Sequence, residues 1–249
     1  MRIQFIQNLI DKLRHKNKKT GNNIQNNIEK FRVDNIIELS DKVTSERLYL
    51  NINGKGNKIA IGECSLEKNA QIAISLYGDN NIIEIKDGFH LSGNLLIEMG
   101  RNHPIYRKIE NSKIIINEGT SVESCTITSI HSETFVEVGK NCMFASDINL
   151  YNTDSHPVFD LETKKVINKV RGIKIGDHCW LGKNVTILKN TEIADDCIVG
   201  WGAVVSGKHL DEHCAIAGNP AKVVKKNITW DNSTENFVSQ KYEDVNNAR

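Results

Sequence analysis

The sequence predicts an all-β chain wound as a β-helix, and three observations lead there. Between Ile173 and His209 the aliphatics Ile175, Leu181, Ile187, Ile193, Val199 and Val205 fall six apart, with Gly176, Gly182, Ala194 and Gly200 directly after four of them. Four residues beyond the aliphatics stand Cys179, Val185, Thr191, Cys197 and Ala203, all small or β-branched. Neither a helix (period 3.6) nor a half-buried strand (period 2) accommodates that pattern. A hexad of one aliphatic, one small residue and polar filler builds one short side of a coil, the aliphatic pointing inward and the small residue letting the backbone bend. The third observation is composition: only 3 Pro in 249 residues, with many Asn, suits a stack of tight turns, because Asn tolerates the left-handed backbone region.

In chain order, residues 1–30 read as a basic amphipathic helix and linker. Ile3, Ile6, Leu9, Ile10 and Leu13 recur at helical spacing among Arg2, Lys12, Arg14, Lys16, Lys18 and Lys19, and Thr20 to Asn27 is an Asn-rich link. The helix is either an interfacial one for an anionic membrane surface or a cap packed on the β-helix or on a partner subunit. Residues 31–226 read as the β-helix domain. Up to Arg101 its hexads are degenerate, with short pieces such as IIEL, YLNI and NIIEI between Gly/Asn turns, as expected of terminal coils. RNHPIYRKIE (101–110) breaks the pattern as a loop. Regular coils resume at Ile116, Val122, Val138, Phe144 and Leu150, and His156 to Gly172 is a charged excursion before Ile173 picks up the count. Residues 227–249 read as a polar tail.

Lys plus Arg number 32 against 31 Asp plus Glu, which gives no electrostatic reason to expect nucleic acid. Six Cys lie without C-x-x-C spacing or a secretory leader and read as reduced structural thiols of a cytoplasmic protein, several at hexad corners. No metal site is expected. An insertion between coils costs the stacked core little, so the excursion is where function is expected. It opens on YNTDSHPVFD, with Pro157 stiffening the bend at His156, and Trp180 follows 24 residues on in DHCWLG. With three hexads to a coil, the two residues belong to adjoining coils and can line one groove. His103 also precedes a Pro but has no regular hexads beside it, and His178 sits mid-hexad, where a solvated side chain is expected.

The hexads, the DSHP turn, IGDHCWLGKNVTILKN and the ending IAGNPAKVVKK together resemble the left-handed β-helix O-acetyltransferases, strongly from Gly119 to Trp230. The nearest branch is the capsular polysialic-acid enzymes; galactoside and maltose acetyltransferases are more distant. The resemblance implies a homotrimer with its sites between subunits, acetyl-CoA lying along the β-helix, and a carbohydrate acceptor. His156 takes the general-base role and Trp180 a role at the thioester. It also implies donor contacts from Trp180, Lys183, Trp201, Gly202, Ser206, Lys208, Pro220, Lys222 and Lys225; where relatives carry Thr-Lys, this chain has Ser206-Gly207 and then Lys208. An imidazole with its ordinary pKa of about 6.5 suits removal of a sugar hydroxyl proton. Asn152 and Asp154 are candidate orienters of His156, and Lys164, Lys165, Lys169 and Arg171 would suit a carboxylated acceptor such as sialic acid.

No Ser or Cys with a paired base is evident, so direct transfer is expected rather than an acetyl-enzyme. The alternatives are N-acetylation of an amino-sugar, a non-catalytic scaffold, and a β-helix carbonic anhydrase, which would need a spaced His triad that the sequence lacks. Deleting residues 1–20 tests the first element. Loss of binding to anionic liposomes with soluble activity retained marks a membrane helix; unchanged binding marks a packing helix.

Overall fold

The computed structural model describes residues 24–44, 46–103 and 107–233; the expected basic helix over residues 1–19 lies outside them. The described chain has one short helix and otherwise short strands joined by turns, the strands collected into three sheets that form the sides of a triangular prism. Each coil crosses the first face, then the second, then the third, and begins again. The coil of Gly172–Ile175, Trp180–Leu181 and Thr186–Leu188 is followed by Glu192–Ile193, Ile198–Val199 and Val204–Val205. On the first face Ile175 pairs with Ile193, 18 residues on, the three hexads per coil that the spacing predicts. Val136 instead pairs with Ile173, 37 residues on, because the excursion is inserted between those coils.

The inward aliphatics are sequestered as their period requires: Ile175, Leu181, Ile187, Ile193, Val199 and Val205 are at most 1% exposed. They form one continuous core with their counterparts in the N-terminal coils. Those earlier coils are more regular than their sequence suggests, with strands as long as Gln71–Asp79, and within the expected loop Ile109–Glu110 pairs with Gly78–Asp79. The turns behave as the Asn content implies. Asn80, Asn111, Asn141, Asn184, Asn190 and Asn227 all hold φ between 52° and 60°.

Two corners carry buried polar columns, since a buried backbone group must find a partner. At the corner between the third and first faces, the Asn35 side-chain oxygen accepts the Asn57 N–H and amide, the Asn57 oxygen accepts those of Asn81, and the Asn81 oxygen accepts the Ser112 N–H. At the corner between the first and second faces, Cys142, Cys179 and Cys197 each donate to a carbonyl of the next coil, on Gly176, Ala194 and Asp211. The six cysteines are free and buried, as their corner positions imply.

The ends are closed differently. A helix at Ile24–Arg32 lays Ile28 and Phe31 on the first coil, so the Asn-rich stretch expected to be a link is helical from Ile24 onward. At the other end Ala221–Lys226 pairs antiparallel with Cys214–Gly218, turning its far edge away from further parallel stacking. The expected polar tail is folded as far as Trp230, where the Trp230 indole N–H donates to the His178 carbonyl at 2.7 Å. Replacing Asn57 with Ala should leave the buried Asn81 N–H without its acceptor and take one of two partners from the Asn35 oxygen and from the Asn81 amide. The expected cost is about 2–4 kcal/mol in urea unfolding, more than an exposed Asn such as Asn53 would show.

Candidate active site

The chain leaves the third face after Ile148–Asn152, and the corner that follows carries His156. Ser155 turns the backbone at φ 64°, and its N–H donates to Thr153 Oγ1 at 2.8 Å. The same hydroxyl lies 2.9 Å from Nε2 of His131, a half-buried imidazole whose pKa burial pulls below the usual value, with Asp154 opposing and Lys189 reinforcing the shift. Beyond Pro157 the excursion is a short antiparallel arm in which Phe159 bridges Val166 and Asp160 caps the turn through Thr163. Asn168 clamps its base, donating to Asp154 Oδ2 at 2.8 Å and the His156 carbonyl at 2.9 Å while its oxygen accepts the Val158 N–H. The His156 side chain is exposed, and among the described residues its ring makes no hydrogen bond.

Several expectations for this corner are corrected. Asp154 does not orient the His156 ring; its carboxylate is taken by Asn168 and by Lys189 at 3.3 Å. Asn152 is fully buried, its amide donating to Ser129 Oγ and the Phe135 carbonyl, so it supports the corner from inside rather than meeting an acceptor. Lys164 and Lys165 lie at the tip of the arm, away from His156 at its base, while Arg171 ends the excursion with its N–H on Asn190 Oδ1. Ser206 and Lys208 stand at this corner two coils further on, and Lys208 is paired with Glu192 on the first face.

Trp180 is elsewhere. It opens the second-face strand Trp180–Leu181, so one chain does not put it on the same face as His156. Its outward neighbours in register are Met143, Ile198 and Ala215, an apolar row up the second face. Lys183 and Trp201 flank that row at the corner between the second and third faces, with Lys183 Nζ 5.9 Å from the Trp201 ring and Trp201 73% exposed. Gly202, at φ 71°, would have open space around an added Cβ. The row ends at the capping strand, where Lys222 and Lys225, beyond the turn at Pro220, make no ion pair among the described residues. An apolar track leading to free cations fits a pantetheine arm ending in phosphates, the shape of a coenzyme A thioester. Ser206 and Lys208 are not part of it.

The thiols take no part. Hydrogen bonding from Cys142 together with burial pushes Cys179 far up, burial does the same to Cys125, and burial with the Cys197 contact pushes Cys214 up to about 12. Cys125, Cys179 and Cys214 therefore furnish no thiolate near neutral pH. Among the described residues no group of His, Cys, Asp and Glu is arranged to hold a metal ion.

Residues 172–207 match the bacterial transferase hexapeptide family (six repeats). The chain is 32% identical over 189 residues to the polysialic acid O-acetyltransferase of Neisseria meningitidis, spanning 71% of this chain and 86% of that protein. It is 36% identical over 121 residues to the Escherichia coli O1:K1 / APEC enzyme of the same name, a match covering 49% of this chain and only 39% of that protein. Among solved structures, the polysialic acid O-acetyltransferase OatWY superposes with TM-score 0.60 at 30% identity over 85% of this chain and 93% of that one. The polySia-specific acetyltransferase NeuO does so with TM-score 0.57 at 27% identity, over 82% and 95%. The chain belongs to the hexapeptide-repeat acetyltransferases. Its prism is the left-handed β-helix of that family.

In this acetyltransferase the residues expected at the site fall into two walls. One is the arm-bearing corner with His156; the other is the second face and its rim, with Trp180, Lys183, Trp201, Lys222 and Lys225. Sequence reasoning missed Asn168 and His131, which no periodicity marks. It also misread His178 as solvated: His178 Nδ1 lies 2.7 Å from Asp196 Oδ1, and its ring stacks on Trp230. Asp196 also contacts His213 and accepts from the Thr229 hydroxyl at 2.8 Å. Burial raises the Asp196 pKa, but the hydrogen bonds from Thr229, His178 and His213 outweigh it and hold the carboxyl below its usual 3.8. A depressed carboxyl pKa contributes stability above the unfolded value and loses it as pH falls through the folded one. Asp196→Asn should therefore cost about 1–3 kcal/mol at pH 7 in denaturant unfolding, and the deficit should shrink once pH drops below about 4.

Proposed function

We propose that the chain transfers acetyl from acetyl-CoA to a hydroxyl of a sialic-acid-containing surface polysaccharide, with His156 as general base. The observation that carries this reading is the division of the site. An exposed imidazole whose ring has no hydrogen-bond partner among the described residues stands at one corner, and an apolar track ending in lysines without ion pairs among those residues runs up another face, in a chain whose relatives include enzymes named for polysialic acid O-acetylation. The two walls meet only if a second copy brings its second face to the arm of the first, which supports a homotrimer with its sites between subunits. The arm's exposed Phe159, Leu161 and Ile167 suit cover by a neighbouring copy.

In the proposed step the acceptor hydroxyl gives its proton to His156 as its oxygen attacks the thioester carbonyl. The tetrahedral intermediate then collapses, the carbon–sulfur bond breaks, and the coenzyme A thiolate takes the proton back from the imidazolium. Trp180, 36% exposed and with its indole N–H unpartnered among the described residues, is free to donate to the thioester. The inert thiols favour this direct transfer over an acetyl-enzyme. Lys169 and Arg171, nearer the arm's base than Lys164 and Lys165, are the better candidates for an acceptor carboxylate. The described helix is neither long nor apolar enough to cross a membrane, and the reaction is assigned to the compartment that holds acetyl-CoA, the cytoplasm.

His156→Ala should lower acetyl transfer by about 10²–10⁴-fold while leaving the thermal transition and the size-exclusion volume unchanged. Near-normal turnover would remove His156 as the base. Labelled acetyl-CoA offered with polysialic acid and with neutral glycans should mark the sialylated polymer; labelling of neutral glycans alone would overturn the acceptor assignment.

A further inference from the structure

The segment after the capping strand turns at Asn227 (φ 59°) and descends the corner between the first and second faces. The Ile228 N–H donates to the His213 carbonyl at 3.0 Å, the Thr229 hydroxyl to Asp196 Oδ1 at 2.8 Å, and the Trp230 indole N–H to the His178 carbonyl at 2.7 Å. His178, Asp196 and His213 occupy the same corner position in three successive coils, with φ of 54°, 55° and 53°. Their side chains therefore stack one above the next, placing a carboxylate between two imidazoles. Asp196 Oδ1 serves His178 and Thr229, and Oδ2 serves His213. The carboxylate is nine-tenths buried as a residue, so this clasp is built into the corner rather than laid on it.

What the clasp delivers is an aromatic ring. The Trp230 indole stacks on His178 with centroids 4.4 Å apart and planes 9° apart, and it meets Trp180 at 6.1 Å with the planes tilted by 44°. Cys179 between them points inward, so His178 and Trp180 flank one outward groove and Trp230 closes its side. The two indoles are differently committed. The N–H of Trp230 is spent on a carbonyl, leaving it an apolar wall, whereas that of Trp180 has no partner among the described residues. A ring pair of this spacing and tilt restricts the free indole to few rotamers.

We propose that Trp230 is a positioning residue of the acetyl-donor site: it holds Trp180 in the orientation that meets the thioester, and the His178–Asp196–His213 clasp, tied down by Thr229, holds Trp230. This rests on the reading of Trp180 as the thioester residue. Trp230 touches no reacting atom, so its loss acts on donor binding first and leaves the acceptor and His156 alone.

The test is steady-state kinetics of the full chain with acetyl-CoA and polysialic acid. Trp230→Ala should raise KM for acetyl-CoA by about three- to tenfold, the range of one aromatic contact, with KM for the acceptor unchanged. Trp230→Phe, which keeps an aromatic ring over His178 but loses the N–H bond and part of the stacked area, should recover part of the difference. Asp196→Asn, which touches neither indole, should shift KM in the same direction. Acetyl-CoA KM at the wild-type value in both Trp230→Ala and Asp196→Asn overturns the proposal, and so does an equal loss of acceptor affinity, which would mark a general structural fault. Should Trp230→Ala lose its fold, the Phe and Asn variants decide on the same criteria. Absence of transfer by the unmodified chain is a separate result, which overturns the O-acetyltransferase reading itself.

Discussion

Each coil of this protein is held by the coil beneath it, strand over strand on the same face, although the partners lie 18 residues apart at Ile175 and Ile193 and 37 apart at Val136 and Ile173. A short parallel strand such as Trp180–Leu181 makes no bond within itself; it is held by the coils on either side, the Trp180 N–H donating to the Cys197 carbonyl and the Leu181 carbonyl accepting from the Ala145 N–H. The inward aliphatics are likewise buried only by their counterparts in neighbouring coils. Both demands are met by keeping the strands in register face by face. They confine variation to the corners and outward positions, where a residue can change without breaking the register.

That confinement explains where chemistry sits. The corner before the excursion interrupts the coil count between Val136 and Ile173, more widely than the 101–110 segment does between Ile83 and Ile114, and the arm there leaves both flanking coils intact. Its base is fixed by polar contacts, Asn168 and Lys189 on Asp154 and Thr153 beneath Ser155, so His156 projects from a rigid bend although the side chain itself is in solvent. The opposite corner does the converse. Its thiols are sealed under carbonyls and removed from chemistry, while its outward His and Asp residues anchor the returning chain.

The period of six was enough to derive the prism, the inward set, the corner cysteines and the left-handed Asn turns, because each follows from repetition and repetition is visible one residue at a time. The site was harder to read. His156 and Trp180 were identified by resemblance, but their spacing placed them on adjoining coils and said nothing about which face each occupies; the 18-residue coil with an insertion puts them on different sides. Proximity in sequence makes Asp154 a candidate orienter, whereas its carboxylate is claimed by Asn168, 14 residues away, and by Lys189 across the coil. His178 was read as solvated because mid-hexad residues face outward. It does face outward, but beneath a Trp that lies 52 residues later and returns only after the stack has ended. Contacts made by a reversing chain carry no period.

The three faces also differ in what they offer another molecule. The first is laddered with charge: Lys58 bridges Glu84 and Glu38, Lys113 faces Glu137, and Lys208 meets Glu192. The third carries an uncharged row in register, Tyr49, Ala73, Leu96, Thr126, Asn149, Thr186 and Val204. Charges resist desolvation and are depleted from interface cores, so the third face, not the first, suits contact with a further copy. Its two edges are the corner that bears His156 and the corner that bears Lys183 and Trp201. In the proposed trimer, cyclic packing on the third face would set the His156 edge of one copy against the Trp201 edge of the next. On that proposal, the separation of His156 from Trp180 and Trp201 within a single prism is what a threefold assembly would close from both sides.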